Sequence, residues 1–156
     1  MTAREMLRHT LATLAYRAGK AVRNAPDDFA GWRAGPSTRT PVQILAHMGD
    51  LMDWALELAR GERGWREAKP LPWAEEVERF FDSLARLDAY LASEKTLGWP
   101  AERLLQGPVA DALTHTGQVT LLRGLAGAPI KGENYAKAEI RIGTVGMDQP
   151  APRLEF

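Results

Sequence analysis

The sequence of 156 residues contains no cysteine. It therefore excludes a disulfide framework, a thiolate nucleophile and a metal or cluster bound through cysteine sulfur. An excess of one charge sign is also missing, because 20 Lys and Arg residues balance 20 Asp and Glu residues. No basic run is present, so a nucleic acid or an acidic membrane surface is a poor candidate for a partner.

Long hydrophobic runs are absent as well. The first residues, MTAREMLRHT, carry charges within the first turn and contain no apolar core of a signal peptide. The longest uncharged runs fall far short of a membrane span. We therefore expect a cytoplasmic protein, and its length suits a single domain over residues 1–156 that buries a real core.

Four segments carry the apolar period of an amphipathic helix. They predict helices near 3–23, 41–60, 72–96 and 108–126, with an extra turn at 102–106 as an option for the last. The sequence TRTPVQ marks the start of the second helix, since Thr40 can cap it, Pro41 suits its first position and Gln43 can complete a capping box.

No segment gives a convincing sheet, and the residues after Ala128 have no helical period, although AEIRIG could form a short extended piece. The sequence predicts an all-α fold, namely a four-helix bundle with an irregular C-terminal tail packed on it. The long connections after the first and second helices permit crossover topologies, so simple up-down order is not implied.

Histidine is scarce, and two of the three histidines fall on the inward apolar stripes of helices. These are His47 in the second helix and His115 in the fourth. Asp111 lies four residues before His115, so the two side chains sit one helical turn apart on one face. A buried carboxylate and a buried imidazole are costly unless they pair, titrate or bind a cation. Two ligands on one helix with a third from a neighbouring helix form a three-ligand metal site with open positions.

Structural interpretations compete with the metal site. His47 could be a core histidine bonded to a carbonyl or carboxylate. Asp111 could cap its helix or bond to His115 within the helix. The metal hypothesis depends on the conjunction of these residues on two helices that a bundle can bring face to face. His9 is expected to face solvent. Asp50 is a candidate for holding the His47 ring, with a plain surface carboxylate as the alternative.

Two stretches also resemble a known family. ILAHMGDLMDWAL resembles the helix-2 histidine motif of the DinB/YfiT-like superfamily, and DALTHTGQVTLLRGLAGAP resembles its helix-4 H-x-x-x-H-x-G-Q motif. The likeness covers residues 41–58 and 108–129, and elsewhere it extends only to helix order. The resemblance implies a four-helix bundle, a divalent metal usually held by three histidines, and a homodimer.

Transferred residue by residue, the resemblance assigns the metal ligands to His47, Asp111 and His115. Asp111 departs from the family's usual histidine. Two imidazoles and one carboxylate still form a three-ligand face, and the carboxylate shifts preference toward harder ions such as Mn or Fe. Zn and Ni are the other candidate metals, and the departure is also compatible with a weakened site.

The function implied by the resemblance is that of a metal-dependent enzyme, specifically a thiol-dependent S-transferase or isomerase. The metal would bind the sulfur of a low-molecular-weight thiol and favour its thiolate form. Hydrolysis by a metal-activated water is a neighbouring possibility. Asp50, Glu133 and Tyr135 are guesses at a general base. The alternative is a non-catalytic, metal-stabilised bundle that binds a small molecule or a partner.

Overall fold

The computed structural model describes all residues from Met1 to Phe156 and contains helices but no strand. Four long helical segments and an irregular tail confirm the predicted all-α bundle. None of the helices combines the length and apolar character that a membrane span requires. The elements in chain order are α1 (Ala3–Val22), α2 (Pro41–Arg60), α3 (Trp73–Ala92), α4 (Ala101–Leu104), a π-helical turn (Leu105–Val109) and α5 (Ala110–Leu125).

Helix α2 begins and ends where the sequence predicts. The Thr40 hydroxyl accepts from the Gln43 N–H, and the Gln43 side chain accepts from the Thr40 N–H at 2.9 Å, which completes the capping box. At the other end Gly61 adopts a left-handed conformation with φ +80°, a backbone geometry that glycine adopts without steric cost. Both boundaries are thus fixed by local chemistry.

Helix α3 ends at Ala92, four residues before the predicted end at residue 96. Ser93 leaves the helix with an extended backbone, and its hydroxyl donates to the Tyr90 carbonyl at 2.7 Å. Serine side chains offer the backbone this kind of alternative to continued helical bonding. The predicted last turn of α3 is therefore wrong.

The fourth helical segment begins at Ala101 rather than at residue 108, so the optional extra turn is part of it. The join is the π-helical turn, where Gly107 has φ −91° and ψ −105° and Pro108 follows. Proline has no N–H and cannot continue the α-helical ladder, and the wider turn absorbs this interruption. Helix α5 therefore continues directly from the π-helical turn, and its first residue is not a free helix N-terminus.

The arrangement of the helices around the bundle makes α2 and α5 neighbours. Helix α2 contacts α3 and α5, and α1 contacts the same two helices, whereas α1 and α2 do not contact each other. The pairs α1/α2 and α3/α5 therefore lie on the two diagonals, and the chain crosses the bundle diagonally twice, from α1 to α2 and from α3 to the segment that contains α5. The two helices that carry the candidate metal ligands are direct neighbours.

The tail is fastened to α1 by a buried carboxylate. The Tyr16 hydroxyl donates to Glu133 Oε1 at 2.7 Å, and Lys20 Nζ donates to Glu133 Oε2 at 2.8 Å. Burial is the largest cause of the raised pKa of Tyr16, and the hydrogen bond to Glu133 raises this pKa further. Residues 138–143 form no strand, and the tail makes only one isolated bridge, between Glu133 and Glu155.

Candidate metal centre

His47, Asp111 and His115 converge at the contact between α2 and α5. One potential ligand atom from each residue lies within 4.8 Å of the other two. The two imidazole rings meet edge to face, with centroids 4.8 Å apart and an interplanar angle of 89°. The three residues selected from the sequence therefore form one group that could hold a metal ion.

The Asp111 carboxylate faces both imidazoles. Its Oδ2 lies 3.6 Å from Nε2 of His47, and its Oδ1 lies 3.4 Å from Nε2 of His115. Both distances exceed the roughly 2.7–2.9 Å of a charge-assisted hydrogen bond. Two ligands at about 2.1 Å from a tetrahedral ion are about 3.4 Å apart. The two oxygen–nitrogen separations are therefore longer than hydrogen bonds and close to the separation of two ligands on one ion.

Gln118 orients the His115 ring. Its side-chain oxygen lies 2.7 Å from Nδ1 of His115, three residues earlier on the same helix face. An oxygen acceptor at Nδ1 places the proton there and leaves the Nε2 lone pair free for a metal. This role was not assigned from the sequence, although Gln118 stands in the motif that carries the family resemblance.

His47 lies in a less polar setting. Its side chain is only 16% exposed, and its Nδ1 is buried without a hydrogen-bond partner. The Trp65 ring packs edge to face on the imidazole with a centroid distance of 5.5 Å. Burial lowers the pKa of His47 most, the neighbouring His115 and Arg39 lower it further, and Asp111 opposes the shift. A lowered pKa favours the neutral imidazole, which is the form that binds metals.

Asp50 does not hold the His47 ring, so this expectation is corrected. The carboxylate is buried, and it accepts from the Ala68 N–H at 3.0 Å and from Arg79 at 3.1 Å. The surface-carboxylate alternative is also wrong. Arg79 reaches across from α3 and donates to the Ala46 carbonyl at 2.6 Å. A buried carboxylate requires such a partner, so Asp50 stabilises the packing of α2 on α3.

The two structural interpretations of Asp111 are less well supported than the metal site. Its side chain is 48% exposed and forms no capping hydrogen bond, because α5 continues from the π-helical turn and has no free first turn to cap. The 3.4 Å separation from His115 is long for an intrahelical hydrogen bond. His9 lies on α1, is partly buried and is not a member of the group.

A cavity of about 450 Å³ opens beside His115, and a smaller one of about 150 Å³ opens beside His47. Arg39 lines both cavities. The larger is lined by Ala34, Thr38, Arg39, Ile44, His115, Gln118, Leu121, Leu122 and Leu125. Neither Glu133 nor Tyr135 lines either cavity, so neither stands where a general base would be needed.

The group contains no fourth protein ligand. A metal held by three side chains keeps at least one position open, in contrast to the closed four-ligand shell of a structural zinc site. No family model, curated protein or solved structure matches this chain. The chemistry of the centre is therefore inferred from its own geometry.

Proposed function

We propose that this protein is a metal-dependent enzyme of the DinB/YfiT-like kind, a thiol-dependent S-transferase or isomerase. One observation carries the proposal: three potential ligands without a fourth form a group in which His115 also lines a cavity of about 450 Å³. Open coordination positions next to a concave, largely apolar space are typical of catalytic metal sites. A structural metal site would be closed by a further side chain.

The donor set fits a divalent transition metal. His47 and His115 offer neutral nitrogen ligands, and Asp111 adds one negative oxygen ligand, a combination used by Zn, Ni, Mn and Fe sites. When bound, the metal supplies a positive charge that stabilises the thiolate of a thiol ligand. The chain's own contribution is to hold the ligands, and Gln118 keeps the His115 lone pair directed at the centre.

The thiol must be a separate molecule, because the chain contains no cysteine. The open face and its cavity favour a small cosubstrate over a protein thiol. Hydrolysis by a metal-activated water stays the second candidate, with Glu67, which lines the smaller cavity beside His47 and forms no salt bridge, as its general base. Asp50 is already bonded to Arg79 and Ala68.

The proposal is tested with protein reconstituted with Co²⁺, whose bond to a thiolate produces a charge-transfer absorption. Glutathione, cysteine and mercaptoethanol are titrated into the wild type and into His115→Ala. We expect saturable absorption with at least one thiol in the wild type and none in the variant. The absence of the band with every thiol, despite one bound Co²⁺, would instead favour the non-catalytic, metal-stabilised bundle.

The homodimer implied by the family resemblance stays a prediction. Light scattering at micromolar concentration checks it. A mass of twice 17.2 kDa would support the dimer, and a mass of 17.2 kDa would contradict it.

A further inference from the structure

The larger cavity beside His115 has one polar and one apolar wall. Leu121 and Leu125 stand one turn apart on α5, and both expose more than half of their surface. Ile44 of α2 adds a third apolar side chain. Large aliphatic side chains exposed together beside a cavity are suited to contact with the apolar part of a ligand.

Arg39 supplies the positive charge of this cavity. Its side chain is exposed and forms no hydrogen bond or salt bridge, unlike Arg79 and Arg123, which are bonded to carboxylates and carbonyls. Apart from His115, it is the only ionisable residue in the cavity lining.

The backbone around Arg39 is fixed while its side chain remains free. Arg33 donates to the Thr38 carbonyl at 3.1 Å on one side, and Thr40 forms the capping box of α2 on the other. Because the backbone is already anchored, binding of a carboxylate through two parallel hydrogen bonds has to order only the side chain of Arg39.

We propose that Arg39 determines substrate specificity by binding the carboxylate of an amphiphilic acid whose apolar chain packs on Leu121 and Leu125. This inference rests on the proposed function, in which the reacting group of the substrate lies at the metal end of the cavity. A single guanidinium neutralises a carboxylate fully but a phosphate dianion only by half. Glu67 lines the smaller cavity together with Arg39 and repels anions there, so the acid group belongs in the larger cavity.

The test compares thiols that differ only in the acid group. Mercaptopropionate, mercaptohexanoate and mercaptooctanoate, each with a terminal thiol, are titrated into the Co²⁺ protein alongside the mercapto-alcohols of equal length. For at least one chain length we expect the acid to bind the wild type about tenfold or more tightly than the alcohol, because a hydrogen bond to a charged group has this strength. Arg39→Gln should remove the preference.

Arg103→Gln is the matched control, since Arg103 is exposed and its side chain forms no hydrogen bond or salt bridge. It should keep the preference for the acid. Leu121→Ala should weaken the longest acid and the longest alcohol by the same factor, because it removes only apolar contact. A preference for the acid that survives Arg39→Gln would overturn the proposal, and so would tighter binding of the corresponding mercaptoalkyl phosphate.

A second experiment distinguishes failure of the proposed function from failure of the carboxylate site at Arg39. If no thiol binds the metal, octanoate and octanol are compared by calorimetry on the same metal-loaded protein, which requires no thiol chemistry. Binding of octanoate that is lost in Arg39→Gln would support the carboxylate site independently of the reaction. No binding of octanoate to the wild type would overturn it.

Discussion

The side-chain oxygen of Gln118 lies 2.7 Å from Nδ1 of His115, one helical turn away on α5. Gln118 is not one of the three potential ligands, but its hydrogen bond orients the imidazole of His115 and thus its Nε2 lone pair. Because a neutral imidazole carries one proton, an acceptor at Nδ1 leaves Nε2 free to face Asp111 at 3.4 Å. We therefore expect the hydrogen bond to raise the affinity of the centre for a metal without contacting the metal.

Replacing Gln118 by Leu should weaken metal binding by about 10- to 100-fold, as is usual for the loss of a partner that orients a ligand. Gln118→Glu keeps an oxygen acceptor and should retain most of the affinity. A competition titration against a chromophoric chelator measures both. Gln106→Leu is the control, because the Gln106 side chain is exposed and forms no hydrogen bond. Unchanged affinity in Gln118→Leu would show that the hydrogen bond has no such role.

Arg79 of α3 donates to two buried carboxylates, Asp50 of α2 at 3.1 Å and Glu76 of its own helix at 3.0 Å. Arg79→Leu would leave both charges without their main partner, at a cost of about 3 to 5 kcal/mol in the free energy of unfolding. Arg86→Leu removes a half-exposed arginine from the same helix and should cost less than about 1 kcal/mol. Urea unfolding followed by circular dichroism compares them. Equal losses would contradict the buried network.

Gly98 approaches the end of α2 closely. A Cβ built at Gly98 would lie 2.1 Å from the Gly61 Cα, and the Gly98 N–H donates to the Ala59 carbonyl at 2.9 Å. Because the obstacle is backbone, Gly98→Ala should lower the free energy of unfolding by about 1 to 3 kcal/mol. Gly124→Ala, in α5 with no atom within 4 Å, should raise it by roughly 0.5 to 1 kcal/mol. A Gly98→Ala variant with an unchanged free energy of unfolding would contradict the close approach.

The helix boundaries show which local signals suffice for prediction. Helix α2 agrees at both ends because Thr40, Gln43 and Gly61 fix those ends through contacts within a few residues. The sequence predicts too late an end for α3 because serine is tolerated inside helices, and only the structure shows that the Ser93 hydroxyl donates to the Tyr90 carbonyl. The sequence predicts a helix start at Pro108, where the structure has a π-helical turn, because proline suits the first position of a helix.

In the candidate metal centre, too, local spacing could be predicted from the sequence, whereas contacts between helices could not. The i, i+4 spacing of Asp111 and His115 fixes their common face, and the apolar stripe of α2 turns His47 toward the core. The partners of Asp50 could not be predicted, since Arg79 is 29 residues away and reaches it only because α2 packs on α3. The apolar periodicity of a single sequence identifies the buried face of each helix, but it does not show which helices pack against each other.

Metal content of protein purified without an affinity tag tests the central claim most directly. We predict about one transition-metal ion per chain in the wild type, in Asp111→His, which restores three histidines, and in the control His9→Ala, which lies outside the group. His115→Ala should contain none while keeping its helix content, because the apolar stripes stabilise the helices. A wild type that binds no metal even after reconstitution, or a His115→Ala variant that binds it as tightly, would contradict the metal centre.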